Sequence, residues 1–207
     1  MTPSVRFVTD PMCSWCWGTT PHFEAAMEAL GDRLSFDILL GGINVHGTRP
    51  VGAYGRERLN VLWDEVTAVT GQYFSHALPD GTVYNSLLPC LACEAMRDAR
   101  GAPPFGYTHR LQQRFFAEGA NVNDLDTLLA TGEEFDVPRD RLRPLMDSEG
   151  VRQRTRWGFE TARQYGTNAL PSVLVSDDGA TFRLFAGGFV DGDRLLEDLE
   201  GWLAGLD

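Results

Sequence analysis

The first forty residues alternate between short apolar runs and a stretch with helical spacing. Residues 5–8 form a β-type run that ends at Asp10-Pro11, and residues 36–40 form a second one. Between them the apolar side chains recur three or four residues apart, which predicts a helix over about residues 13–30. A β-α-β unit of this kind places its two strands parallel, and we expect the same here.

The pattern is helical from about residue 52 to residue 166. Apolar positions recur at helical spacing, glycine and proline interrupt them, and no segment shows the alternation of a strand. We therefore predict several short helices and no strands in this region. The predicted domains are an all-helical domain at residues 51–155 and a discontinuous α/β domain made of residues 1–50 and 156–207.

Strand patterns return near the end of the chain. Residues 172–175 and 181–185 predict two strands, and Asp177-Asp178-Gly179 between them predicts a hairpin turn. Asp191 is suited to cap a last helix, whose apolar positions continue to Leu203. The order βαβ, helices, ββα predicts an α/β fold with a helical insertion.

The composition favours a soluble protein without a nucleic-acid or membrane partner. Hydrophobic residues make up 43% of the chain, enough for a core, and the formal charge of −11 repels phosphate backbones. No apolar stretch approaches the roughly 18 residues that a membrane span needs. The first residues lack the charged and apolar regions of a secretory signal, so we expect a cytoplasmic protein.

The four cysteines form two C-x-x-C pairs, a spacing that indicates redox chemistry or metal binding in a reducing compartment. Cys13 and Cys16 lie between a predicted strand and a predicted helix. Unpaired N–H groups and the dipole of a helix start stabilise a thiolate at Cys13. Cys16, one turn later, should be more buried and able to attack a mixed disulfide. We predict Cys13 as nucleophile, Cys16 as resolving thiol, and Trp15 as apolar cover or a landing surface for substrate.

Cys90 and Cys93 form the second pair, on one face of a predicted helix that Asn85 or Ser86 would cap. Such a face normally packs into a core, so we favour a structural role; a second redox pair remains an alternative. A zinc site made of Cys13, Cys16, Cys90 and Cys93 is a further alternative. The 74 positions between Cys16 and Cys90 exceed the usual zinc spacing.

Two segments resemble a known family. Residues 10–18 (DPMCSWCWG) resemble the active-site segment of the cytoplasmic DsbA-like proteins, a group close to the FrnE oxidoreductases, and residues 168–174 (NALPSVL) resemble the family segment with a cis-proline before a strand. The resemblance implies a thioredoxin-like fold with an inserted all-helical domain. It also implies a cis Leu170–Pro171 bond facing the cysteines, with the Leu170 backbone binding an extended peptide.

The implied activity is thiol–disulfide exchange on a disulfide-containing protein or a small thiol, with an unidentified redox partner and no cofactor or metal. Ser-Trp stands between the cysteines instead of the Pro-His of the periplasmic oxidases, so a strongly oxidising potential is not implied. The kappa-class glutathione transferases and chromene-carboxylate isomerases carry Ser where Cys13 stands, which argues against those alternative activities. Asp10 either relays a proton to Cys16 or simply ends the strand in a turn.

Overall fold

A mixed four-stranded sheet organises the computed structural model, which describes residues 2–165 and 169–206. Its strands lie in the order β2-β1-β3-β4, with β1 parallel to β2 and antiparallel to β3, and β3 antiparallel to β4. The parallel pair and the C-terminal hairpin confirm the predicted order. The strands are β1 (Ser4–Thr9), β2 (Ser35–Leu40), β3 (Ser172–Ser176) and β4 (Arg183–Gly187).

The predicted start of β4 at residue 181 is wrong by two residues. The Asp178 carboxylate accepts hydrogen bonds from the backbone N–H groups of Ala180 and Thr181, both at 2.8 Å. These bonds extend the turn, because N–H groups held by a side chain do not pair with a neighbouring strand.

Helices make up most of the rest of the described chain. Six of them lie between β2 and β3, as the helical pattern predicted, and an isolated bridge joins Pro50 to Val83. A π-helical turn, Gln113–Ala117, follows α4. The helices are α1 (Ser14–Leu30), α2 (Ala53–Thr70), α3 (Leu87–Arg100), α4 (Phe105–Gln112), α5 (Leu125–Glu133), α6 (Arg139–Asp147), α7 (Glu149–Gln164) and α8 (Gly192–Ala204).

Both faces of the sheet are covered. On one face Phe7 of β1 stacks on Phe23 of α1 at 3.9 Å between ring centroids, in a core that also contains Leu199 of α8. On the other face Val8 packs in a buried cluster with Ala162 of α7. The alternation of β1 side chains to opposite faces therefore determines which helices the strand contacts.

The helical region joins the sheet through α7, which packs on β2. The predicted domain boundary between residues 155 and 156 falls inside this helix, and the division into domains stays a prediction. The predicted helical limit Gly166 and the motif residue Asn168 lie outside the described residues. None of the described helices is long and apolar enough to cross a membrane.

Candidate active site

Cys13 caps the N-terminus of α1, directly after the turn that follows β1. Its backbone is extended (φ −92°, ψ 114°), and its Sγ accepts the backbone N–H of Cys16 at 3.1 Å. The sulfur thus takes the place of a capping oxygen at the positive end of the helix. The Cys13 side chain remains 6% exposed while Cys16 is fully buried, the order of burial expected from the sequence.

Cys16 lies in an environment that favours the neutral thiol. Burial raises the pKa of Cys16 well above its ordinary value, and the hydrogen bond with Cys13 and the nearby charges of Cys13 and Asp10 raise it further. A side-chain hydrogen bond with Thr9 opposes these effects. Cys16 therefore holds its proton near neutral pH and must lose it before it can attack a disulfide.

Asp10 is a fully buried carboxylate surrounded by donors. Its Oδ1 accepts the N–H of Met12 at 2.8 Å, and its Oδ2 accepts the N–H groups of Gly42 and Ile43 at 2.9 and 3.2 Å and the Ser86 hydroxyl at 2.6 Å. Burial raises the pKa of Asp10, and these hydrogen bonds lower it in part. Asp10 thereby ties the strand end to the loop after β2 and to the start of α3.

The turn role suggested for Asp10 is present, since its backbone oxygen accepts the N–H of Cys13 at 3.2 Å. Within the described residues no hydrogen bond joins the Asp10 carboxylate to the Cys16 sulfur. The two groups interact through charge, because Asp10 raises the pKa of Cys16. A proton relay through Asp10 stays a proposal.

The second cysteine pair lies in the core and reaches the same carboxylate. Cys90 and Cys93 are fully buried on α3; Cys90 Sγ donates to Asp10 Oδ2 at 3.6 Å, and the Thr108 hydroxyl donates to Cys93 Sγ at 3.3 Å. Burial raises the pKa of both thiols. Asn85 or Ser86 was predicted to cap α3. Ser86 makes no capping bond, because its hydroxyl donates to Asp10 instead, whereas the Asn85 side-chain oxygen accepts the N–H of Leu87 at 2.8 Å.

All four cysteines are free thiols. Within residues 2–165 and 169–206, no three His, Cys, Asp or Glu side chains come together in a metal-ligand arrangement. The Asp10 carboxylate accepts from Cys90 and acts on Cys16 through its charge, and the geometry gives the zinc alternative no support.

Gln112, at the end of α4, is a buried site residue that the sequence analysis missed. Its side-chain amide donates to the backbone oxygen of Asp10 at 3.1 Å. The Thr20 hydroxyl, which has one proton to donate, lies 2.8 Å from the Gln112 side-chain oxygen and 2.9 Å from the Cys16 backbone oxygen. The helical region thus holds the active-site turn and α1 together. The π-helical turn after Gln112 is a feature often found at functional sites, but no sequence pattern had predicted it.

Two further side chains from the helical region hold the backbone and side chains around Cys13. The Tyr84 hydroxyl donates to the Met12 backbone oxygen at 2.5 Å, and Trp63 Nε1 donates to the Ser14 hydroxyl at 3.1 Å. Neither residue belongs to a motif, so the sequence held no signal for their contacts.

Known structures share the fold of this chain. No protein-family model and no curated protein matches it. A candidate protein disulfide isomerase from Nitrosomonas europaea superposes with a TM-score of 0.90 at 28% identity, over 99% of both chains. The chain has the thioredoxin fold in its DsbA-like form. Its general chemistry is thiol–disulfide exchange, and the predicted fold class is confirmed.

Other DsbA-like structures extend the comparison. The cytosolic disulfide reductase DsbM from Pseudomonas aeruginosa has a TM-score of 0.75 at 24% identity, over 98% of this chain and 96% of that one. A structure of DsbM with GSH gives a TM-score of 0.74 at 23% identity, over 98% and 96%. At these identities the likeness describes the fold.

The structure shows the surroundings of Trp15 and the conformation of the Leu170–Pro171 bond, the two segments expected to bind substrate. Trp15 is half-buried and packs against Phe189, with 5.7 Å between ring centroids. The Leu170–Pro171 bond is cis, as predicted, and the Pro171 backbone oxygen accepts the N–H of Gly188 at 2.8 Å. The binding roles of Trp15, Leu170 and Pro171 stay proposals.

Proposed function

We propose that Cys13 and Cys16 form the redox-active dithiol of this oxidoreductase and exchange disulfides with protein or small-molecule substrates. The observation that carries the proposal is the position of Cys13, whose Sγ accepts a backbone N–H at the start of α1. Among the four described cysteines, Cys13 alone has any exposed surface. In thiol–disulfide exchange the thiolate is both the nucleophile and the better leaving group, and a sulfur at a helix start faces backbone donors.

The exchange proceeds in two balanced steps. The Cys13 thiolate attacks one sulfur of the substrate disulfide, forms a mixed disulfide and releases the other sulfur as a thiolate. Cys16 then loses its proton and attacks Cys13 Sγ, which expels the second substrate thiolate and leaves a Cys13–Cys16 disulfide. The substrate gains two electrons and the enzyme loses two, and an external thiol must reduce the enzyme again.

Substrate binding is assigned to the surface around Cys13. The backbone of Leu170, before Pro171, would pair with an extended peptide as an added strand does, and Trp15 would supply an apolar contact. These roles rest on the family resemblance, and the half-buried state of Trp15 and Leu170 is compatible with them.

We further propose a cytoplasmic location and a reductive direction, with glutathione as one candidate source of electrons. The cytosolic reductase DsbM and its structure with GSH are the basis. The reduction potential of the Cys13–Cys16 pair distinguishes a reductase from an oxidase or an isomerase, since it sets which side of the exchange is favoured.

Catalysis of insulin reduction by dithiothreitol tests the function. The wild-type chain should accelerate the reaction, and Cys13→Ser should lower turnover by about 100-fold or more, because the hydroxyl is no nucleophile towards disulfides. Cys93→Ser is the matched control and should keep its turnover. Full activity of Cys13→Ser would refute the assignment of the nucleophile.

A further inference from the structure

A cavity of about 390 Å³ lies between α7, the loop after β2 and the start of α3. Its apolar lining comes from Leu87 and Leu91 of α3, Phe159 of α7 and Val45 of the loop. The volume lies in the range of small-molecule sites, which combine an apolar lining with a few polar groups.

The polar groups of this cavity are mainly cationic. Arg152, Arg156 and Arg163 line it from one side of α7, at spacings of four and seven residues, which a helix places on one face. The loop adds His46, and the acidic member of the lining is Glu160. A cluster of three arginines in a chain of formal charge −11 creates a local field opposite to that of the whole molecule.

The arginines differ in how their charges are paired. Arg152 contacts Asp147 at 3.4 Å and Arg156 contacts Glu149 at 3.0 Å, and these partners are outside the cavity lining, with half or more of each side chain exposed. Arg163 donates to the backbone oxygen of Phe159 at 3.1 Å, and no carboxylate in residues 2–165 or 169–206 pairs with it. Exposed ion pairs are weak, so a ligand could replace them readily.

We propose that this cavity binds a small organic anion, a carboxylate carried on an aromatic or alkyl body. Arg156 and Arg163 hold the carboxylate, since a guanidinium offers paired donors that match its two oxygens. The body packs on the apolar side chains of Leu87, Leu91 and Phe159. None of the lining residues belongs to a C-x-x-C pair or to the hydrogen bonds of Asp10, so the proposal does not depend on the proposed function.

Calorimetric titration with 1-naphthoate tests the site, and 1-naphthamide serves as the neutral probe of nearly equal shape. We expect one naphthoate per chain, weaker binding at high salt, and a dissociation constant for the amide roughly tenfold higher or more, because the arginine charge is left unpaired. Equal affinity for the acid and the amide, or no heat of binding up to about 10 mM acid, would overturn the proposal.

Two variants localise the binding. Arg163→Gln should raise the dissociation constant for naphthoate by about tenfold, which is the loss of affinity expected when one charge-assisted hydrogen-bonding group is removed. Arg183→Gln on β4 removes the same charge from an exposed side chain outside the cavity. Its affinity for naphthoate should stay within about twofold of the wild-type value. Thermal melting and circular dichroism verify that each variant is folded. An equal loss in both variants would indicate a bulk charge effect and contradict a site at α7.

Discussion

The two C-x-x-C pairs have the same spacing and opposite surroundings. Cys13 caps α1 and accepts a backbone N–H, whereas Cys90 lies at the fourth residue of α3 and its thiol donates a hydrogen bond to the Asp10 carboxylate. Cys13 keeps a little exposure, and both sulfurs of the second pair have none. The chemistry of the motif therefore follows from the place of its first sulfur relative to the helix start, and from whether a donor or an acceptor faces it.

Asp10 sharpens the contrast because it lies beside both pairs. Burial is the main cause of the raised pKa of Cys16 and of Cys90, and the Asp10 charge raises both further, which disfavours thiolates at these two sulfurs. At Cys13 the helix start instead supplies a donor, since the sulfur accepts the backbone N–H of Cys16 at 3.1 Å. One buried carboxylate and one helix terminus thus distinguish the nucleophile from the other buried sulfurs.

The largest expected difference is in reactivity towards alkylating agents. Cys13 should react with iodoacetamide about 100-fold faster than Cys16, Cys90 or Cys93 in the reduced native protein, since only its sulfur combines exposure with donors. The buried thiols react mainly through local opening. Peptide mass spectrometry over time gives the four rates, and alkylation in guanidinium shows that all four sites are detectable. Comparable native rates at Cys13 and Cys90 would erase the distinction between the pairs.

A smaller effect is expected from Asp10→Asn on the resolving step. Because the Asp10 charge raises the pKa of Cys16, its removal should lower that pKa and move the pH profile of mixed-disulfide resolution to lower pH. Resolution at pH 7 should then be several-fold faster, since more Cys16 is thiolate. Acid-quenched single-turnover reactions measure the lifetime of the mixed disulfide.

The same experiment separates the two roles considered for Asp10. A proton relay would make Asp10→Asn slower at pH 7, the opposite sign to the electrostatic effect. Asp32→Asn, in the exposed turn after α1, changes the same charge and should leave the profile in place.

The smallest effect on turnover is expected from the double variant Cys90→Ala with Cys93→Ala. Insulin reduction should stay within about twofold of wild type, while the free energy of unfolding falls by about 1–3 kcal/mol as two buried sulfurs leave small cavities. Urea denaturation and the insulin assay measure the two quantities. A large loss of turnover in a folded protein, or a Cys90–Cys93 disulfide whose redox state follows Cys13–Cys16, would make the second pair a redox centre.

Local patterns were sufficient to predict the order of the elements and the placement of Cys13. The apolar spacing after Asp10-Pro11 predicted a helix beginning at the cysteine motif, and the structure starts α1 at Ser14 with Cys13 as its cap. The burial of Cys90 and Cys93 also followed from their helical face. These features depend on residues that are close in sequence, so the local pattern of a single sequence is enough to predict them.

Contacts between distant segments could not be predicted in the same way. Cys90 reaches Asp10 across 80 positions, and Gln112 reaches it across 102. The packing of the whole helical region determines which loop contacts which helix. No local pattern in a single sequence predicts such contacts. The unmade Ser86 cap has the same cause, because the Asp10 carboxylate attracts the hydroxyl away from the helix.

Trapping of the mixed disulfide tests the account most directly. Cys16→Ser, incubated with a disulfide substrate, should accumulate a nearly stoichiometric adduct that dithiothreitol removes and that mass spectrometry maps to Cys13, because the resolving attack is lost. Cys93→Ser, handled identically, should accumulate none. An adduct on Cys90, or no adduct in a Cys16→Ser protein whose Cys13 still alkylates, would contradict the assignment of Cys13 as nucleophile and Cys16 as resolving thiol.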